Sequence, residues 1–120
     1  MKFFQCPDCG VILIPDHSDS FEPKKLEELI PNATDAAGEK HVPVITMDGN
    51  CVRVAVGAVE HPMLEKHYIT FIVLETNQGY QKKDLKPGDK PEAFFALAEG
   101  EAVIAAYEYC NLHGLWKAEA

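Results

Sequence analysis

The stretch Val42-Pro-Val-Ile-Thr-Met-Asp-Gly-Asn-Cys-Val-Arg-Val-Ala-Val56 decides the fold class. Both of its arms are rich in β-branched residues, and Val52, Val54 and Val56 fall on one face of a strand. Asp48-Gly49, between the arms, is a strong hairpin turn signal. We therefore predict an antiparallel β-hairpin with one face buried in a core.

The same pattern continues toward the C-terminus. Further strands are predicted over residues 67–75, 80–85, 92–97 and 101–109, with turn-forming residues between them. Six or seven short antiparallel strands of this kind are typical of a β-sandwich, so we predict an all-β fold. Residues 31–40, upstream of the first hairpin, are expected to form a loop.

The N-terminal part of the chain differs in pattern, and we predict a small module over residues 1–35 followed by the sandwich domain over 36–120. Two short strands are expected around Cys6-Pro-Asp-Cys-Gly10. Over residues 24–30, the apolar side chains share one side of a helix, which predicts a short helical turn that ends at Pro31.

Composition excludes several classes of function. The net charge is −8 with a single arginine, so the chain lacks the basic face that nucleic acid binding needs. No apolar run approaches the roughly 18 residues that a membrane-spanning helix requires, and the N-terminus does not resemble a secretory signal. We expect a cytoplasmic protein. Its acidic charge would repel an anionic substrate unless a local positive patch attracts it.

Histidine and cysteine carry the functional signal. Any one histidine at a strand end is most often a solvated polar residue, but this chain places a whole set at predicted strand ends and loops of one small β-domain. The set consists of His41, His61, His67, Cys110 and His113. Five ligands exceed the four of a closed zinc site, and four imidazoles with one thiolate suit a five-coordinate transition metal such as iron. A thiolate ligand favours redox chemistry on a dioxygen species.

Four segments carry a family resemblance: Glu39-Lys-His-Val-Pro43, Glu60-His-Pro-Met63, Lys66-His-Tyr-Ile69 and Tyr109-Cys-Asn-Leu-His-Gly114. In order and spacing they resemble the superoxide reductase family, which includes desulfoferrodoxin and neelaredoxin. The likeness covers about residues 35–118. It implies an immunoglobulin-like β-sandwich and one mononuclear iron, Fe²⁺ or Fe³⁺, per chain.

The resemblance also implies a role for each matching residue. His41, His61, His67 and His113 would be the equatorial nitrogen ligands of the iron, and Cys110 its axial sulfur. Two further residues, Glu39 and Lys40, would be catalytic. The carboxylate would close onto ferric iron at rest, and the lysine would lie beside the open face. Superoxide would be reduced there to hydrogen peroxide, and rubredoxin or a similar donor would restore Fe²⁺.

Lys40 has a physical argument of its own, since a lysine beside the metal would attract superoxide to an acidic protein. Lys66 directly precedes His67, but neighbours on a strand point to opposite faces, so we expect Lys66 to point away. Trp116 is expected to pack as a hydrophobic lid on the Cys110–His113 loop, with electron transfer as a second choice.

The chain departs from desulfoferrodoxins in its N-terminal module, where these proteins hold a second iron with four cysteines. Cys6 and Cys9 match the first cysteine pair, but Phe21 and Glu22 stand near the expected place of the second. We therefore predict an incomplete site and a one-iron protein. Free thiols, a zinc site completed by Asp16, His17 or a partner subunit, and a redox disulfide all remain open for the pair. Cys51 is expected to be a structural or surface thiol.

Two other classes of function compete with the reductase. An electron-transfer protein would use the same iron without substrate chemistry, and a zinc-binding β-sandwich module would be non-catalytic and colourless. A dismutase is a variant of the reaction. Exposed sandwich edges favour self-association, and we expect a homodimer, with a tetramer as the next choice.

Overall fold

The computed structural model describes residues 1–16 and 25–120. These residues form two compact units, Met1–Ile30 and Pro31–Ala120. The predicted division into modules 1–35 and 36–120 stays a prediction. Within the described ranges, no helix is long and apolar enough to cross a membrane.

The smaller unit contains a three-stranded antiparallel sheet. Its strands are β1 (Phe3–Gln5), β2 (Ile12–Leu13) and β3 (Glu27–Leu29), in the order β2-β1-β3. The helical turn predicted over residues 24–30 is wrong in its described part, because Glu27–Leu29 pairs with Phe3–Gln5. The segment was too short for its apolar residues to distinguish the period of a helix from that of a strand. Backbone pairing with β1 also satisfies the amide groups that a single helical turn would leave unpaired.

The larger unit holds one helical turn and seven strands. They are α1 (Gly38–His41), β4 (Pro43–Asp48), β5 (Cys51–Val56), β6 (Ile69–Thr76), β7 (Gly79–Asp84), β8 (Glu92–Ala96), β9 (Val103–Cys110) and β10 (Gly114–Glu119). The strands form a four-stranded sheet in the order β10-β9-β6-β7 and a three-stranded sheet in the order β4-β5-β8, both antiparallel. The all-β prediction is confirmed.

Alternate residues of both sheets build the core between them. Val52, Val54 and Val56 are almost completely buried, as the opening hairpin predicted. They pack in one cluster with Ile72 and Leu74 of the other sheet. A register shift between Ile69 and Phe71, where β6 pairs with β9, marks a β-bulge close to the end of both strands.

Two elements of the larger unit were not predicted. Strand β10 pairs along its whole length with β9, in a stretch whose mixed polarity gave no clear strand signal. Helix α1 lies in the predicted loop and is a single turn, too short for a helical period to show. Its backbone packs against Gly57, where an added Cβ would lie only 2.7 Å from the carbonyl oxygen of Glu39. Glycine at this position therefore allows α1 to pack this closely.

Candidate metal centre

Five side chains converge at the ends of the strands in the larger unit. Their potential ligand atoms all lie within 4.8 Å of one another. The set is His41, His61, His67, Cys110 and His113. These are the five residues that the sequence predicted as one metal site, and the structure brings all of them together.

Each of these side chains lies at the end of a regular element or in a loop between two strands. His41 is the last residue of α1, and His61 follows β5, with its amide donating to the carbonyl of Val56 at 3.1 Å. His67 forms an antiparallel bridge with Leu64 just before β6. Such positions let a rigid sandwich hold side chains that point into one shared space.

Cys110 and His113 flank the turn of the β9–β10 hairpin. Cys110 ends β9 and pairs with Gly114, which begins β10. Gly114 has a φ of +80°, a conformation that favours glycine, and it closes this three-residue loop. The loop thus places a thiol and an imidazole side by side, with Cys110 Sγ 3.9 Å from His113 Nδ1.

Backbone carbonyls fix the tautomers of two histidines. His41 Nδ1 donates to the carbonyl oxygen of Ala37 at 2.8 Å, and His61 Nδ1 donates to that of Pro62 at 2.6 Å. In a neutral imidazole the other nitrogen then carries a lone pair. The two Nε2 atoms lie 3.2 Å apart, so two lone pairs face each other. Metal-binding histidines are commonly oriented by hydrogen bonds of this kind.

The remaining donors also suit a cation. His67 Nε2 is buried and has no hydrogen-bond partner among the residues that the structure describes. The Cys110 side chain is fully buried, with its sulfur 3.6 Å from His61 Nε2. A buried nitrogen without a partner is costly, and a cation among these atoms would satisfy it. Four imidazoles and one thiol fit iron, as predicted from the sequence.

Burial sets the protonation of these groups. It lowers the pKa of His61 to about 4, and it also lowers the pKa values of His41 and His67. Burial raises the pKa of the Cys110 thiol. At neutral pH the three imidazoles are therefore unprotonated and ready to bind a cation, whereas Cys110 must release a proton when it becomes a ligand.

Two further residues hold the centre in place. Trp116 is buried, stacks on the His41 ring, and donates from Nε1 to the carbonyl oxygen of His113 at 3.0 Å. Asn111 donates to the carbonyl of Lys66 at 3.1 Å and accepts from the amide of Tyr68 at 3.0 Å. These two hydrogen bonds thus hold the backbone on both sides of His67. Asn111 was not singled out from the sequence, although its position between two predicted ligands was a signal.

The charged residues near the centre are exposed. Lys40 lines a cavity of about 610 Å³ together with His61, Pro62 and Met63, and its charge contributes to lowering the pKa values of His41 and His67. Glu39 is exposed, and its carbonyl oxygen accepts from the amide of Val59 at 2.9 Å. The predicted catalytic roles of Glu39 and Lys40 stay predictions.

The other cysteines lie outside this cluster. Cys51 is an exposed free thiol at the start of β5, in line with the surface position expected from the sequence. Cys6 and Cys9 lie in the smaller unit, in the turn between β1 and β2. His17, considered as a zinc ligand, and residues 21 and 22, the expected place of a second cysteine pair, lie outside the described residues.

Comparisons with known proteins agree with this geometry. The family model described as Desulfoferrodoxin matches residues 33–119. The desulfoferrodoxin of Syntrophotalea carbinolica is 44% identical over 99% of this chain and 96% of its own length. That of Nitratidesulfovibrio vulgaris is 46% identical, with the same coverage of 99% and 96%.

A solved structure gives the same answer. The superoxide reductase from Treponema pallidum superposes with a TM-score of 0.82 at 35% identity, over 99% of this chain and 100% of that one. Sequence relatives and a full-length structural match thus agree with the cluster of four histidines and one cysteine. The chain belongs to the desulfoferrodoxin family.

Proposed function

We propose that this chain is a superoxide reductase, which combines superoxide with one electron and two protons to give hydrogen peroxide. The observation that carries the proposal is the cluster of four imidazoles and one thiol. The Treponema pallidum protein that resembles this chain over its full length is a superoxide reductase. The exposed Lys40 beside the cavity disfavours the alternatives, because neither an electron carrier nor a zinc module needs a cation there.

One iron would be held by the nitrogens of His41, His61, His67 and His113 and by the sulfur of Cys110. Iron in that donor set would supply the one-electron chemistry that the reaction needs, with an external reductant as the source of the electron. The chain orients the imidazoles beforehand. The carbonyl oxygens of Ala37 and Pro62 orient the rings of His41 and His61 by accepting hydrogen bonds from them. Trp116 holds the backbone of His113 by donating a hydrogen bond to its carbonyl oxygen.

Lys40 brings the substrate to the centre. The net charge of −8 repels superoxide at long range, so a local cation is needed to attract it. The Lys40 ammonium is exposed at the cavity that His61 also lines. It can bind the anion, stabilise the charge that develops during reduction, and hold a proton for the product. Glu39, its neighbour on α1, would supply a carboxylate ligand to the metal at rest.

An external donor completes the cycle, and we propose a small redox protein of the rubredoxin type. His67 and His113 are only half-buried, and Leu112 between two ligands is exposed, so a partner can approach the centre closely at this loop. All four cysteines are free, which supports a reducing compartment such as the cytoplasm. A homodimer remains our expectation, and light scattering of the purified chain will measure it.

The test is the stoichiometry of the reaction. The reduced, iron-loaded chain is mixed anaerobically with a known amount of superoxide, and hydrogen peroxide and dioxygen are both measured. A reductase gives one peroxide for each superoxide and no dioxygen. Metal analysis and the visible spectrum are recorded on the same sample, because ferric iron with a thiolate ligand absorbs visible light.

Three results would contradict the proposal. Release of dioxygen with half an equivalent of peroxide indicates a dismutase. An iron protein whose spectrum does not change with superoxide indicates an electron carrier. A colourless zinc protein that stays inactive after reconstitution with iron indicates a binding module.

A further inference from the structure

The turn between β1 and β2 in the smaller unit carries two thiols that the metal centre does not use. The turn is closed by two backbone hydrogen bonds, from the Cys6 amide to the Val11 carbonyl at 2.9 Å and from the Gly10 amide to the Cys6 carbonyl at 2.8 Å. Gly10, with a φ of +74°, allows the chain to reverse here. Cys6 is half-buried and Cys9 is exposed, so both can meet a small solute.

The two thiols are not equivalent. Cys6 begins the turn and Cys9 lies within it, three residues along the chain. Hydrogen bonding from Cys9, through its thiol and then its backbone, lowers the pKa of the Cys6 thiol, as converging backbone amides do for other anions. The closed turn keeps the two thiols in one short reversal of the chain, so Cys6 can act as the nucleophile and Cys9 as the thiol that reacts with it next.

A tetrathiolate metal site cannot form in the smaller unit. A tetrathiolate site requires four cysteines, and residues 1–30 contain only Cys6 and Cys9. The chain's other two cysteines belong to the larger unit, where Cys110 is part of the metal centre and Cys51 lies in β5. Cys6 and Cys9 are therefore the whole cysteine content of the smaller unit, and both are accessible.

We propose that Cys6 and Cys9 form a dithiol that hydrogen peroxide oxidises to an intramolecular disulfide. The Cys6 thiolate attacks one peroxide oxygen, the O–O bond breaks, and protonation of the leaving oxygen gives water and a sulfenic acid on Cys6. The Cys9 thiol then attacks that sulfur, and its proton leaves with the hydroxyl group as a second water. Two thiols are oxidised and one peroxide is reduced to two waters.

The source of the peroxide rests on the proposed function, since a superoxide reductase releases hydrogen peroxide as its product. The reaction of the dithiol itself does not depend on that source. Each disulfide removes one peroxide, and an external thiol reductant would return the pair to the dithiol. The smaller unit would then consume part of what the larger unit produces.

The experiment uses the full chain with ferric iron bound, first reduced at its thiols and then exposed to added hydrogen peroxide. We expect the peptide that contains Cys6 and Cys9 to lose about 2 Da through the loss of two hydrogens, and dithiothreitol to restore it. In Cys9→Ser, a sulfenic acid should accumulate on Cys6 and be trapped by dimedone. Cys51→Ser is the control and should leave disulfide formation unchanged.

The exposed Cys51 also serves as an internal reference for an ordinary thiol. The proposal is overturned if Cys6 reacts no faster than Cys51, or if Cys6 is overoxidised while Cys9 stays free. Zinc bound to the purified chain and released by Cys9→Ser would likewise overturn it. Because peroxide is added directly, a chain that fails to reduce superoxide leaves this result unaffected.

Discussion

The indole ring of Trp116 stacks on the imidazole of His41, with ring centroids 5.0 Å apart and planes inclined by 26°. The same side chain donates a hydrogen bond to the carbonyl of His113. Trp116, on β10, therefore contacts both His41 and His113. These two of the five candidate ligands are the first and the last along the chain.

We predict that Trp116→Phe weakens metal binding. The variant can keep part of the stacking on His41, but it loses the hydrogen bond that holds the His113 loop. Loss of an orienting partner of a ligand commonly costs about 10-fold or more in metal affinity. The measurement is iron retention against a chelator. Tyr80→Phe, at an exposed aromatic residue, is the control, and equal retention in the two variants would contradict the prediction.

Lys40→Ala should slow the reaction with superoxide by about 10-fold at low ionic strength, because steering by a local charge acts on the association rate. The second-order rate constant is measured by rapid mixing over a series of salt concentrations. Salt screens both the attraction by Lys40 and the repulsion by the net charge of −8, so the rate of the variant should rise more with salt than that of the unchanged chain, and the two rates should converge at high salt. Lys66→Ala is the matched control and is expected to change the rate little; an equal loss would show that both lysines act.

Asn111→Asp should loosen His67. The aspartate keeps an acceptor for the Tyr68 amide but cannot donate to the Lys66 carbonyl. We expect a broadened or shifted visible band in the ferric protein and faster loss of iron. Leu112→Ala, at the exposed next position of the same loop, should leave both readouts unchanged. A normal spectrum for Asn111→Asp would assign the positioning of His67 to the backbone bridge alone.

In the metal-free chain, acid should reduce stability through His61. Burial lowers its pKa to about 4 from a usual 6.5, so the unfolded chain binds more protons between these values. The free energy of unfolding therefore falls as pH decreases from about 6.5 to 4, with a slope of up to about 1.4 kcal/mol per pH unit for one proton. Urea unfolding of the chelator-treated chain tests this. His61→Gln should show a shallower slope over the same range.

Glu108 should act in the opposite direction. Its side chain is fully buried on β9, neither oxygen has a partner among the described residues, and burial raises its pKa to about 9. Because the folded-state pKa is raised, the free energy of unfolding is highest below about 4.5 as far as this group is concerned, and it falls as pH rises toward 9.

Replacement of this carboxyl by an amide removes the titration. Glu108→Gln should therefore raise the free energy of unfolding at pH 8 relative to the unchanged chain, and the gain should shrink at pH 5. Both values come from urea unfolding of the metal-free protein. The exposed Glu65→Gln is the control, and a gain that does not vary with pH would contradict the assignment to ionisation.

The sequence predicted the sandwich well where strands were long and regularly patterned. Val52, Val54 and Val56 show the period of two that a half-buried strand requires, and they lie in the core. The five donors could be named because histidines and a cysteine at strand ends formed an unusual set that resembled a known family. Their convergence within 4.8 Å required the fold.

Other features left no clear mark in the sequence. Helix α1 and strand β3 have four and three residues, which is less than a period of either structure needs to be recognised. The role of Asn111 depends on Lys66 and Tyr68, which are more than 40 residues away, so only the pairing of β6 with β9 makes its hydrogen bonds possible.

The way in which the donors are distributed along the chain has a consequence for assembly in the cell. No single loop contributes more than two of them, and His41 and His113 are 72 residues apart, yet their facing nitrogens lie within 3.2 Å. A growing polypeptide therefore lacks the complete set of donors until the segment with Cys110 and His113 has been made. The five-donor geometry exists only in the folded domain, so an ion that needs all five donors is selected by the folded protein and not by any one of its loops.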